Sequence, residues 1–388
     1  MLLKNAMLFM PDCIFHRGTL RTYGERITEA DRETKPLVEE ESLDADGMYA
    51  VPGLIDIHLH GAINRDFCEG TADAIRAIAD FELHEGVTAF LCATMAQPEI
   101  TLLQICDAAG QYKFHEGAEF LGINMEAPFI SVEKCGAQDK AFIHKPDIEL
   151  FNRLQEAAHG RIKIVGIAPE CDGSEAFLEQ LKGRIIISLA HTAADYSTAK
   201  RAFLLGATHV THLLNAMPPF LHRNPGVVGA AWEESNCIAE MICDGNFVVP
   251  TMMRAMLKLF GAERIAMISD GMPATGMPEG TYSLGGDAVV VKDGVGSMVK
   301  GGALAGPTIS LMGVMRTAVS KCGFPLEAAV QCATLTPARS LGIDDLYGSL
   351  APGHYADIVL LDAKLNVRVV IFRGKIVCDY RKSDFPTA

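Results

Sequence analysis

The chain has 388 residues, 49% of them hydrophobic, enough for one large domain with a sizeable core and a small second domain. Its formal net charge of -14 argues against a nucleic-acid or anionic-membrane partner. The 11 cysteines, an odd number without a Cys-x-x-Cys pair, speak for reduced buried thiols in a cytoplasmic protein, not a disulfide framework. The first residues, with Lys4 inside a short apolar run, do not read as a signal peptide, and no apolar run approaches a membrane span.

Residues 1–50 alternate short apolar segments with polar turns and read as strands of a small domain. A long apolar stretch follows, Val51 to Ala62, ending in His58 and His60. Side chains alternate faces on a strand, so these two imidazoles point the same way and can share a metal ion. From there strand-like and helix-like segments alternate. A helix spans Thr71 to Glu85 with Thr71 as its N-cap, a strand Val87 to Thr94, and a helix starts near Pro98. Strands follow at Phe120 to Glu126, Arg161 to Ala168 (after a helix from Asp147), Arg184 to Ala190 and Ala207 to Thr211. The last two run Ile238 to Cys243, before a helix opening at Pro250, and Arg264 to Ser269. Eight βα units predict a parallel TIM barrel. Tyr282 to Lys300 interrupts the pattern and reads as a hairpin with an Asp293-Gly294 turn, inserted near the barrel mouth. The far end, with strands near Ala356 to Asp362 and Val367 to Val377, has the texture of the first residues. The expected organisation is an α/β fold: residues 1–50 plus 350–388 as a β-sandwich, and residues 51–349 as a (β/α)8 barrel.

Chemistry in such a barrel sits where strands end. Here those ends carry His58 and His60, Glu126, His191, His212 and Asp270. A lone histidine after a strand is more often structural; four histidines and two carboxylates at five strand ends are hard to obtain by chance. Nitrogen and carboxylate donors without thiolates suit a catalytic divalent metal, zinc first, iron or manganese next. Such an ion makes hydroxide available near neutral pH and polarises a carbonyl. Asp270 is positioned to move the proton of the attacking water, and Glu126 to bridge two ions, one shared with His58 and His60, the other with His191 and His212.

The stretch Pro52-Gly53 to His58-Leu59-His60-Gly61 resembles the first-strand signature of the amidohydrolase superfamily. Glu126-Ala127-Pro128-Phe129, Thr211-His212 to Asn215-Ala216-Met217-Pro218 and Leu304-Ala305-Gly306 together resemble the N-acetylglucosamine-6-phosphate deacetylases over essentially the whole chain. The resemblance implies one or two ions per subunit. It assigns Glu126, His191 and His212 to the main metal site, Asp270 to metal and acid–base roles, Asn215 and Ala216 to the sugar phosphate, and Arg223 to the phosphate. It also implies a homodimer and an amino sugar phosphate as substrate. The chain departs from the family pattern at four places. Ala127 replaces a glycine. Gln138, after Lys134-Cys135-Gly136-Ala137, replaces a histidine; it donates a hydrogen bond but carries no charge. Phe247, after Asp244-Gly245-Asn246, replaces a phosphate-binding histidine, with His222 and Asn246 as possible substitutes. Pro307 replaces a serine. The implied reaction is hydrolysis of the acetamide of N-acetylglucosamine 6-phosphate. The alternatives are another N-acetylhexosamine or its phosphate, a different small N-acyl substrate, or a non-catalytic regulatory relative. The fourth strand supplies no ligand, because Lys163 lies near its start.

Overall fold

The computed structural model describes residues 1–31, 35, 37, 40–114 and 116–381. Its centre is a parallel barrel of eight strands: β1 (Leu54–Leu59), β2 (Val87–Ala93), β3 (Glu119–Met125), β4 (Ile162–Ile167), β5 (Ile186–Leu189), β6 (His209–Val210), β7 (Ile238–Ile242) and β8 (Ile265–Ile268). They pair in sequence order from β1 to β8. β1 and β8 close the ring at their C-terminal ends, where Asp270 N–H donates to His58 O (2.9 Å) and His60 N–H to Gly271 O (2.7 Å). The Asp56 carboxylate takes part in this seam, accepting from His58 N–H at 3.1 Å and Ser269 N–H at 3.3 Å. Burial holds that carboxyl up at about 7.

The strands are near-continuous apolar runs because both faces are covered. Ile55, Ile57, Leu91, Ile164, Ile242 and Ile268 fill the barrel interior, and Leu59, Phe90, Val165, Leu189 and Met241 meet the outer layer. The expected helices form. Thr71 Oγ1 accepts from Ala74 N–H to cap Ala72–His84, and Asp147 caps Ile148–Ala157 through Glu149 N–H and Leu150 N–H. β6 is shorter than the stretch expected from Ala207 to Thr211, because beyond Val210 the backbone turns to positive φ at His212, Leu214 and Ala216.

The chain ends pair with each other. Ile358–Leu361 runs antiparallel to Tyr49–Pro52, which lies beside Leu2–Phe9 in one eight-stranded sheet. Alternation along Ile358–Leu361 sends Ile358 and Leu360 into a core with Leu3, Leu8, Leu20 and Ile27, and Val359 and Leu361 toward the barrel's outer layer. The insertion extends further than its sequence pattern suggests. It is a four-stranded antiparallel sheet, Gly280–Leu284, Asp287–Lys292, Val295–Met298 and Leu304–Pro307. Asp293 and Gly294 take φ of 52° and 72° at its central turn. The last strand lies against the end of β8: a Cβ on Gly306 would stand 2.8 Å from Asp270 O. No helix among the described residues is long and apolar enough to cross a membrane.

Candidate metal centre and active site

The barrel brings all six strand-end side chains together. Glu126 follows β3, His191 follows β5, His212 follows β6 and Asp270 follows β8, while His58 near the end of β1 and His60 just past it both reach Glu126 and Asp270. All six are buried. Glu126 Oε1 lies 3.0 Å from both His191 Nε2 and His212 Nε2, and those two nitrogens lie 3.0 Å apart. On the other side, His58 Nε2 is 3.6 Å from Glu126 Oε1 and 3.5 Å from Asp270 Oδ1, and His60 Nε2 is 3.5 Å from Glu126 Oε2 and 3.4 Å from Asp270 Oδ1. Glu126 is therefore common to two ligand sets, one with His58 and His60, the other with His191 and His212.

The residues fit a divalent metal. Ligand distances of about 2.0–2.2 Å in a tetrahedral arrangement put donor atoms about 3.3–3.6 Å apart, close to the spacing here. Two imidazole nitrogens facing each other beside one carboxylate oxygen need a proton or a cation between them. His58 Nε2 is fully buried, faces the same volume and has no hydrogen-bond partner. Electrostatics agree: burial opposes the charged form of His58, yet Glu240, Asp270 and Glu126 outweigh it and push its pKa up to about 10. Burial likewise works against the Glu126 carboxylate, but His191, His212 and His58 hold it well below the usual range. The pocket is built to hold positive charge.

Three strand-end residues, His191, His212 and Asp270, have φ of 43°, 30° and 48°. Left-handed backbone at non-glycine residues is strained and tends to gather at functional sites. Here it turns each side chain over the barrel mouth. Hydrogen bonds then fix the ligands: His191 Nδ1 to Lys134 O at 2.7 Å, and Gln138 Nε2 donating to Glu126 Oε2 at 2.6 Å. Gln138 Oε1 in turn accepts from Ala96 N–H at 2.6 Å.

Above the ligands lies a cavity of ≈ 390 Å³. Of the residues named from sequence, Ala137, Gln138, Asn215, Ala216, Phe247, Leu304, Ala305 and Gly306 line it. His222, Arg223 and Asn246 do not. His222 and Arg223 occupy an exposed turn, with Arg223 Nη1 2.8 Å from His222 Nε2, and Asn246 is exposed. Sequence reasoning missed Met95, Lys134 and Leu284 in the lining: Met95 follows β2 at a strand end but carries neither an imidazole nor a carboxylate, and a loop and the insertion carry the other two with no spacing signal. It also missed Glu240 on β7, whose Oε2 lies 2.8 Å from His58 Nδ1. A carboxylate inside the apolar run Ile238 to Ile242 was the available clue, since a charge in a buried strand must have a partner. Lys163 is exposed near the start of β4, away from the ligands.

The amidohydrolase family model matches residues 49–377. The N-acetylglucosamine-6-phosphate deacetylase of Bacillus subtilis is 32% identical, covering 99% of this chain and 98% of that protein. The N-acetylgalactosamine-6-phosphate deacetylase of Escherichia coli O157:H7 is also 32% identical, covering 86% of this chain and 89% of its own length. Among solved structures, a mutant N-acetyl-D-glucosamine-6-phosphate deacetylase from Mycobacterium smegmatis, in complex with N-acetyl-D-glucosamine-6-phosphate, superposes with a TM-score of 0.90. It is 32% identical and covers 97% of this chain and 98% of that one.

Proposed function

This chain belongs to the amidohydrolase family, in its N-acetylglucosamine-6-phosphate deacetylase group, and from that premise we propose that it hydrolyses the acetamide of N-acetylglucosamine 6-phosphate to acetate and glucosamine 6-phosphate. The observation that carries this reading is the convergence of four histidines and two carboxylates on one volume at the barrel mouth. A divalent ion bound there supplies an acidified water and polarises the amide carbonyl. Zinc is the ion we assign, with iron or manganese as alternatives suited to the same donors, one or two per subunit. His58, His60, Glu126, His191, His212 and Asp270 would hold it.

Asp270 moves the protons. Burial raises its pKa, but His60, His58 and His212 outweigh burial and keep the carboxyl below its usual range, so it is ionised and able to act as a base. It accepts a proton from the attacking water at a carboxylate oxygen and returns it to the nitrogen as the C–N bond breaks. Water's oxygen ends on the acyl carbon, and the nitrogen leaves as a free amine. Asn215 and Ala216 contact the sugar phosphate, Phe247, Leu304, Ala305 and Gly306 wall the sugar, and Arg223 binds the phosphate, with His222 and Asn246 as the candidate substitutes for the histidine that Phe247 replaces. The working form is a cytoplasmic homodimer.

The test is acetate release from N-acetylglucosamine 6-phosphate, N-acetylgalactosamine 6-phosphate and the two free sugars, with metal content measured on the same sample. The galactosamine epimer belongs in the panel because one relative is named for it. Fastest turnover of N-acetylglucosamine 6-phosphate, abolished by chelation and restored by zinc, is the expected result. Turnover in metal-free protein, or no acetate from any of the four, would overturn the reading.

A further inference from the structure

Glu240 stands in the middle of β7, fully buried, and the chemistry derived above gives it no part. A carboxylate there is tolerated only with partners. No lysine or arginine pairs with it among the described residues. Its Oε2 lies 2.8 Å from His58 Nδ1, and Asn124 Nδ2 lies 3.5 Å from its Oε1. Asn124 Nδ2 is itself held by Ile57 O at 3.0 Å, so the amide backs the same pair.

An ionised carboxylate only accepts hydrogen bonds, so the neutral, metal-binding form of His58 carries its proton on Nδ1. That leaves the Nε2 lone pair facing the volume shared with His60, Glu126 and Asp270, where it has no hydrogen-bond partner. The other half of the centre is backed differently. His191 Nδ1 rests on a neutral carbonyl, Lys134 O, at 2.7 Å, and His212 Nδ1 has no partner. A full negative charge thus stands behind the first ligand set and none behind the second.

Resting on the reading that this site holds divalent metal, we propose that Glu240 is a positioning residue. It fixes His58 as a ligand through Nε2, and its charge strengthens the His58–His60–Glu126 set selectively, so that the protein holds two ions. Carboxylates behind metal-bound histidines orient the ring and raise its basicity, and removing one typically weakens metal affinity about 10- to 100-fold.

The test uses the full chain stripped by chelator and reloaded with zinc, read by elemental analysis and chelator competition, independently of activity. Wild type is expected to take two ions per chain. Glu240→Gln keeps the size but loses the charge, and its amide also permits the opposite tautomer. It should bind one ion as wild type does and the other about 10- to 100-fold more weakly. His58→Asn should lose that same ion, and adding Glu240→Gln to it should change nothing further. If Glu240→Gln does not fold, Glu240→Asp carries the test: the charge survives one methylene further back, and the same ion is weakened selectively but less. Wild-type affinity for both ions in the variant, or equal weakening of both, overturns the proposal. So does a wild type that takes only one ion, which leaves the metal reading standing; a wild type that takes none overturns both.

Discussion

The side chains at the floor of the cavity hang from strand ends that are hydrogen-bonded to their neighbours, and three of them are backed by a further group: Glu240 behind His58, Lys134 O behind His191, Gln138 against Glu126. The rim is made otherwise. Phe247 and Leu304 are partly or largely exposed, Arg223 lies on an outer turn, and Leu284 and Ala305 belong to the insertion. The difference separates two tasks. Metal and proton chemistry needs donors fixed to fractions of an ångström, and the interior of a closed barrel supplies that. Substrate choice tolerates looser walls, and loops can change without disturbing the barrel.

Removing Asp270 strikes the floor hardest. Asp270→Asn keeps the shape and the seam hydrogen bond of its backbone to His58 O. It should retain at least part of the metal and lose about 10²–10⁴ in kcat, the usual worth of a positioned acid–base group. Rates within a few-fold of wild type would move the proton transfer to another group. His191→Ala or His212→Ala should lose metal and activity together, checked by elemental analysis.

A second test probes how dry the barrel is beneath the floor. His209 on β6 is buried with Nε2 unpartnered, and burial pulls its pKa down to about 3 from an ordinary value near 6.5. The folded state therefore holds it neutral while the unfolded chain protonates it below about pH 6.5. Its contribution is complete above that pH and is lost as pH falls toward 3, by about 1.4 kcal/mol per unit. In metal-free protein, wild type should lose about 2–3 kcal/mol more than His209→Leu between pH 6.5 and 4.5, measured by urea unfolding. Equal losses would mean water reaches His209.

Gln138 stands at the border between floor and rim. It lines the cavity, yet both ends of its amide are engaged, with Ala96 N–H and with Glu126. Gln138→Ala strands both partners, at a cost of about 1–3 kcal/mol for buried unsatisfied groups. The expected outcome is lower unfolding stability at nearly unchanged KM. A raised KM with stability intact would make it a rim residue.

The two regions were also unequally legible. The floor could be read because a strand's period of two and a barrel's strand-end rule turn His58, His60, Glu126, His191, His212 and Asp270 into neighbours from the order of the chain alone. The element order was readable for the same reason, and even the Thr71 cap and the helix start at Asp147 were in place. Glu240 escaped because one charged residue inside Ile238 to Ile242 looks like noise on an apolar run, and only the pairing across the barrel shows its partner. The rim escaped because which loop leans over which strand is set by tertiary packing: Lys134 reaches the cavity from a segment with no periodic signal, and the insertion contributes Leu284 as well as the Leu304–Pro307 strand.

Arg223 is where floor and rim give opposing expectations. The resemblance makes it the phosphate-binding residue, and a guanidinium fork matches phosphate oxygens. In the single chain it is exposed, leans on His222 at 2.8 Å, and does not line the cavity. Phe247, which does line it, offers a phosphate nothing. An exposed arginine pays for ordering its side chain and is screened by water, so its contact belongs at the low end of a charge-assisted hydrogen bond, about 1.5 kcal/mol or roughly tenfold. The phosphorylated sugar should therefore be preferred over the free one, and Arg223→Ala should lower that preference about tenfold with kcat on the free sugar unchanged. The measurement is the ratio of kcat/KM for N-acetylglucosamine 6-phosphate to that for N-acetylglucosamine, in both proteins. A ratio that is large in wild type and untouched by Arg223→Ala would hand the phosphate to another cation. Lys134, the one lysine or arginine in the cavity lining among the described residues, is then the group to replace next.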